Sequence, residues 1–263
     1  MDTFCRWVAR HIKAVRSVAS VSLGAVIAML ILIFDLPYPL AFVLILVCSY
    51  LMLTVLYACG GRFQKRALSY MMEQCDPYPF LRELQTQLSY GYTPGYEAIM
   101  RLNLATALHN TGATGVALDV IKHIPIEKKG LARAITKALY YNNLATFLGE
   151  TGDADGADAA YRKFRALADG KAKKVLSKYY PHLSTMAEAG QLFRHRDYGA
   201  ALEKCRSVPL KTPYDQVENA LFRARCSIGL GDHAAAREDL RIVIENGNKL
   251  AAVDKAREVL EEM

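Results

Sequence analysis

A chain of 263 residues with 52% hydrophobic content holds enough apolar side chain for one or two packed cores, which excludes a disordered tail, a collagen-like rod and a small disulfide scaffold. Its formal charge of +7, from 33 basic and 26 acidic side chains, is modest for this length. Non-specific nucleic-acid binding needs a denser basic stripe. The six cysteines (Cys5, Cys48, Cys59, Cys75, Cys205 and Cys226) are widely spaced with no CxxC pair, and that spacing points to a reducing compartment.

Residues 1–61 read as a membrane anchor. Between Ser17 and Gly61 the only charged residue is Asp35, and the apolar run divides into 17–34 and 38–59 around Asp35-Leu36-Pro37-Tyr38-Pro39. Each half is near the roughly 20 residues that cross a hydrocarbon core as a helix, and the two prolines remove helix donors where the chain must reverse. Arg6, Arg10, Lys13 and Arg16 precede the first span, Arg62, Lys65 and Arg66 follow the second, and the turn carries no lysine or arginine. That asymmetry places both ends in the cytoplasm of a plasma membrane, with a bacterial one as the default. Trp7 stands at the polar edge, where an indole suits the headgroup region.

A cleavable signal peptide fits less well, because the first apolar run exceeds a signal core of about 7–15 residues and no small-x-small site follows it. Leu56-Tyr57-Ala58-Cys59-Gly60 loosely resembles a lipoprotein cleavage box, yet it lies far from the N-terminus.

Residues 62–263 carry Ala, Leu, Lys, Glu and Arg at i, i+3, i+4 spacing, the pattern of consecutive amphipathic helices, so the fold class is all-α. Residues 62–90 are expected to form a leading helical pair. Beyond them a unit recurs four times, with alanines twelve apart at Ala105/Ala117, Ala145/Ala157, Ala189/Ala201 and Ala224/Ala236. Seven residues after each first alanine stand Gly112, Gly152, Arg196 and Gly231, three of them the residue that ends a helix in a left-handed turn. Leu108, Leu148, Leu192 and Ser227 lie three after the first alanine. Small residues that let two helices approach, flanked by large ones, describe an antiparallel pair.

These units resemble the tetratricopeptide repeat (TPR) family. Asn143-Leu144-Ala145, Leu148, Gly152-Asp153, Ala157 and Tyr161 match its pattern best, followed by Ala224, Gly231-Asp232, Ala236 and Leu240. First alanines are 40, 44 and 35 residues apart against the family's roughly 34, so extra structure must occupy the first two intervals. The resemblance covers about 95–248 and implies a TPR-like α-solenoid, with a closing helix at 249–262. Thr93-Pro94 and Thr212-Pro213 read as helix starts with a capping hydroxyl, strengthened at the second by Asp215.

Catalytic signatures are missing: the chain holds no GxxxxGK[ST], HExxH or GxSxG. Asp153 to Asp158 looks like part of a calcium loop, but Phe164 stands where the twelfth-position acid belongs, so it reads as a helix N-terminus. The expectation is therefore no enzyme, no cofactor and no metal.

The resemblance implies a concave groove contacted from two before, one after and four after each first alanine, which gives Asn103, Thr106 and His109, then Asn143, Thr146 and Gly149. Asparagine amides can both donate to and accept from a ligand backbone, so Asn103 and Asn143 rank first. A solvated side chain is the expectation for His109. The later groove is apolar, with Met186, Phe193 and Leu221 beside Arg225, and it suits a partner helix or apolar peptide. Arg162, Lys163, Arg165, Lys171, Lys173, Lys174 and Lys178 form the densest basic stretch, read as a solvated face or as a surface for anionic lipid. The whole reads as a membrane-anchored adaptor or scaffold with a protein or peptide partner, able to homo-oligomerise. A subunit of a membrane enzyme or transport complex is the alternative, and nucleic acid binding through 162–178 is a minor one.

Overall fold

The computed structural model describes residues 2–34, 37–90 and 92–263, and every regular element among them is an α-helix. Helix α1 (Asp2–Arg10) buries Cys5 and Val8 against Cys59, Phe63 and Ala67 while Phe4 and Trp7 stay exposed. The Cys5 and Cys59 sulfurs are 3.0 Å apart as free thiols. α2 (Ile12–Phe34) and α3 (Tyr38–Gln74) pack side by side, and both are long and apolar enough to cross a bilayer. Many of their large side chains face outward, as at Val21, Leu32 and Leu46, while Ile27 is buried. The expected turn residues Asp35 and Leu36 lie outside the described residues. Pro39 sits in the first turn of α3, where a missing N–H costs no intrahelical bond.

The boundary read at residue 61 is not a break in the chain's structure. α3 continues through Gly60 and Gly61 to Gln74, about 55 Å at 1.5 Å per residue. Two helical glycines cost about 1 kcal/mol each relative to alanine, and packing of Phe63, Ala67 and Met71 beyond them offsets that cost. The leading helical pair is thus the C-terminal end of α3 with α4 (Tyr78–Leu88), joined through buried Phe80 and Leu84. Thr93 does not cap the next helix; its hydroxyl bonds the Tyr57 hydroxyl at 2.9 Å.

Four packed pairs follow: α5 (Pro94–Asn110) with α6 (Thr114–Lys122), α7 (Ala134–Glu150) with α8 (Ala154–Ala168), α10 (Leu183–Arg194) with α11 (Tyr198–Arg206), and α12 (Pro213–Gly229) with α13 (His233–Asn246). All eight repeat alanines are buried. The four turns share one geometry. Gly112, Gly152, Arg196 and Gly231 have φ of 86°, 88°, 62° and 77°. The next residue's N–H then returns to the carbonyl of Leu108, Leu148, Leu192 or Ser227 at 2.9 to 3.0 Å, which is the Schellman closure. In the last three turns the same residue starts the following helix. Asp153, Asp197 and Asp232 accept from the N–H groups of Gly156, Ala200 and Ala235.

The long intervals have visible contents. Residues 123–133 form an irregular link carrying buried Ile124 and Ile126, and α9 (Lys173–Tyr179) lies between the second and third pairs. Thr212 and Asp215 make the expected reciprocal cap of α12.

The last elements meet the first. α14 (Ala251–Glu262) packs on α12, α13 and α5, and α12 also packs on α3. Asn248 donates to the Gln74 carbonyl at 2.7 Å, and the Lys249 ammonium pairs with Asp76 at 2.6 Å. Cys75, which ends α3 with a φ of 53°, is buried among Val217, Leu240, Val243 and Leu250. α14 therefore does more than cover a free end: it closes the row of pairs back onto the root of the domain.

Arg196 is the one turn residue of the four with a Cβ, and the left-handed region costs such a residue roughly 1–2 kcal/mol. Part of that is returned by lower chain entropy in the unfolded state. Arg196→Gly should stabilise the chain by about 0.5 kcal/mol and Gly152→Ala should destabilise it by about 1 kcal/mol, both read from thermal or denaturant unfolding in detergent.

Candidate functional site

A cavity of about 240 Å³ is walled mainly by α7, α10 and α12, the first helices of the second, third and fourth pairs. Each of these helices turns one stripe toward it: Asn142, Thr146 and Gly149 from α7, Met186, Gly190 and Phe193 from α10, Glu218, Leu221 and Arg225 from α12. The i, i+3, i+4, i+7 spacing puts each set on one helix face. Two of the stripes carry a glycine, Gly149 and Gly190, and both leave room for the Arg194 side chain, which lies 3.2 and 3.7 Å from where their Cβ atoms would be.

Of the residues read as groove-lining, His109, Thr146, Met186, Phe193, Leu221 and Arg225 come together here. Asn103, Thr106 and Asn143 are not among the lining. The Asn143 amide instead donates to the Thr106 hydroxyl at 2.9 Å, tying α7 to α5, and Thr106 donates to the Leu102 carbonyl. The reason is angular. In α7 the cavity takes Asn142, three before the alanine, rather than Asn143, two before it, and one residue is about 100° around a helix. The basic residues 162–178 lie elsewhere, on α8, on α9 and in their link. Lys163 lies over the Tyr141 ring and Arg165 pairs with Asp169.

The sequence reading missed the cavity's acids. Glu150 and Glu218 look like ordinary helix-surface carboxylates in the sequence, and only their position on the inward stripe marks them. Glu150 accepts from the Lys255 ammonium at 2.9 Å and lies 3.7 Å from His109 Nε2. His109 is mostly buried, stacked at a tilt on Phe147 with Nδ1 on the Thr114 hydroxyl, and is not the solvated side chain expected. Burial pushes its pKa down, against the pull of Glu150. Burial would raise Glu150, but nearby His109 and Lys255 outweigh it and hold the carboxyl below its usual range.

Among the described residues Glu218 has no such partner. Burial first, and then the Glu150 charge, push its carboxyl up to about 7, with Lys255 and Arg225 partly offsetting them. Arg225 spreads its guanidinium over the Phe193 ring at 4.8 Å. Arg194 is committed to Asp158 at 3.3 Å. The cavity thus presents an apolar wall, one settled acid and one acid whose proton is exchangeable near neutrality. No group of three or more His, Cys, Asp or Glu side chains among the described residues could hold a metal ion.

Glu218 is enclosed by protein but still touched by solvent, so its ionisation costs less than full burial would. A carboxyl raised in the folded state contributes stability that is complete below its unfolded pKa near 4.5 and is lost as pH rises through about 7. Glu218→Gln removes that loss. The variant should match the native chain at pH 4 and exceed it by about 1–2 kcal/mol at pH 8, read as the difference in unfolding free energy across that range.

Comparison of the chain with protein-family models, with curated proteins and with solved structures finds no match to any of them.

Proposed function

We propose that this chain is a two-span membrane protein whose helical-pair domain, TPR-like in its repeat pattern, acts as a non-catalytic adaptor that holds a partner protein at the cytoplasmic face. One observation carries the reading: α7, α10 and α12 present equivalent stripes to a single cavity. Three separate repeats converging on one space resemble the way repeat domains assemble a recognition surface from successive units.

The cavity's size narrows the mode of binding. At about 240 Å³ it falls below the roughly 300–1,000 Å³ of small-molecule pockets, and it is too small for a whole helix with side chains, about 10–12 Å across. It suits one long side chain or a chain end offered by a partner, with Leu221, Met186 and Phe193 against the apolar part and Glu218 near the polar tip. The spans supply location, and confinement to a surface raises the effective concentration of partners held there.

Photocrosslinking from Met186 in intact membranes, followed by mass spectrometry, tests the groove. A crosslinked protein lost in Leu221→Arg but retained in Asn103→Ala/Asn143→Ala supports this reading. Crosslinks that survive Leu221→Arg unchanged would move binding to another face. Orientation has its own test: single cysteines at Leu36 and Met263 should react with an impermeant maleimide from opposite sides of the membrane, and labelling from the same side would refute the hairpin topology.

A further inference from the structure

A recess of about 710 Å³ lies between α1, α3 and α4, at the foot of the two apolar helices. Four arginines line it, Arg6 and Arg10 from α1, Arg66 from α3 and Arg82 from α4, with Glu83 as the one acid. Glu83 is engaged by Arg6 at 3.4 Å. Among the described residues neither Arg10 nor Arg82 has a carboxylate within ion-pair distance. Trp7, Phe63 and Tyr70 add aromatic walls, and the Arg6 guanidinium lies 4.3 Å from the Phe63 ring centre.

Depth selects the occupant. The apolar run of α3 gives way to charge at Arg62. At about 1.5 Å per residue, Phe63, Arg66 and Tyr70 stand roughly 2, 6 and 12 Å beyond that point. The headgroup layer occupies about 5–8 Å on each side of the hydrocarbon, so if α2 and α3 span a bilayer, the recess begins at headgroup depth and opens just above it. Trp7, exposed on α1, lines it with an indole of the kind that settles at that boundary. Guanidinium forks match phosphate oxygens in pairs, and a surplus of positive charge favours a headgroup with net negative charge over a zwitterionic one.

We propose that this recess is a binding site for the phosphate headgroup of an anionic phospholipid in the adjacent leaflet. The inference rests on the membrane-spanning reading of α2 and α3 and is independent of what the cavity between α7, α10 and α12 binds. A lipid bound there would bridge α1, α3 and α4 and so fix the amphipathic α1 against the root of the domain.

Trp7 is the chain's single tryptophan and lines the recess, so its fluorescence reports the site directly. The full chain would be placed in phosphatidylcholine nanodiscs and titrated with brominated phosphatidylglycerol or brominated phosphatidylcholine at equal mole fraction. Half-maximal quenching of Trp7 should need about five- to tenfold less of the anionic lipid. R10Q/R82Q should reduce that preference to about twofold or less, while K171Q/K174Q, far along the chain on the basic stretch, leaves it intact. Equal quenching by the two lipids in the native chain would overturn the proposal, whatever the variants do. So would a preference that R10Q/R82Q, folded by circular dichroism, leaves unchanged. Soluble glycerol 3-phosphate at millimolar concentration should not abolish the preference; if it did, the site would take free phosphate esters and the lipid assignment would fall. Labelling of Leu36 and Met263 from the same side would refute the hairpin topology, and equal quenching in a correctly inserted chain would refute this site alone.

Discussion

The uninterrupted backbone hydrogen-bond ladder of α3 is the constraint on which everything else depends. One end of this helix carries an apolar, outward-facing surface long enough to cross a bilayer, and the other ends at Cys75 inside the core formed by α12, α13 and α14. A helix is stiff along its axis because each added residue is fixed by another i to i−4 bond. The apolar segment and the helical-pair domain are therefore joined by a strut rather than by a linker. The contacts of Asn248 and Lys249 with Gln74 and Asp76 then tie the far end of the chain to the base of that strut.

Around the strut, the repeat is a device for reversing direction at low cost. A residue of positive φ closes each helix onto its own last turn, and in three of four cases an aspartate immediately caps the next helix. Stop and start signals share adjacent residues, so the two helices of a pair begin close together, and the buried alanines let them stay close. Repeating this step curls the pairs until α14 reaches α5. Equivalent stripes from α7, α10 and α12 converge on a single cavity.

Charge placement follows from the same closure. Lys255, on the final helix, crosses to Glu150 on α7 and satisfies it. Among the described residues Glu218 receives no equivalent partner, and burial near a second carboxylate raises its pKa to about 7. An acid left unsettled beside apolar side chains is costly to folding, and it is also the kind of group whose environment changes most when a ligand arrives. The opposite arrangement holds at the base of α3, where arginines outnumber acids around an open recess.

The amino-acid pattern by itself determined the helical class, the two apolar runs and the positions of the four turns, because each rests on local physics. Helical periodicity, an uncharged stretch near 20 residues, and a glycine seven after an alanine are all legible within one or two turns of chain. Arg196 was legible too, as the position where the pattern calls for a left-handed turn and the residue resists it. What sits opposite what was decided only by tertiary structure. Glu150 and Glu218 carry no local mark, Asn142 rather than Asn143 faces the cavity because a rotation of one residue redirects a side chain, and Asn143 spends its amide on Thr106. The continuity of α3 through Gly60 and Gly61 was hidden as well. Glycines lower helix propensity locally, and only the packing of Phe63 and Ala67 against α1 beyond them shows why the helix persists.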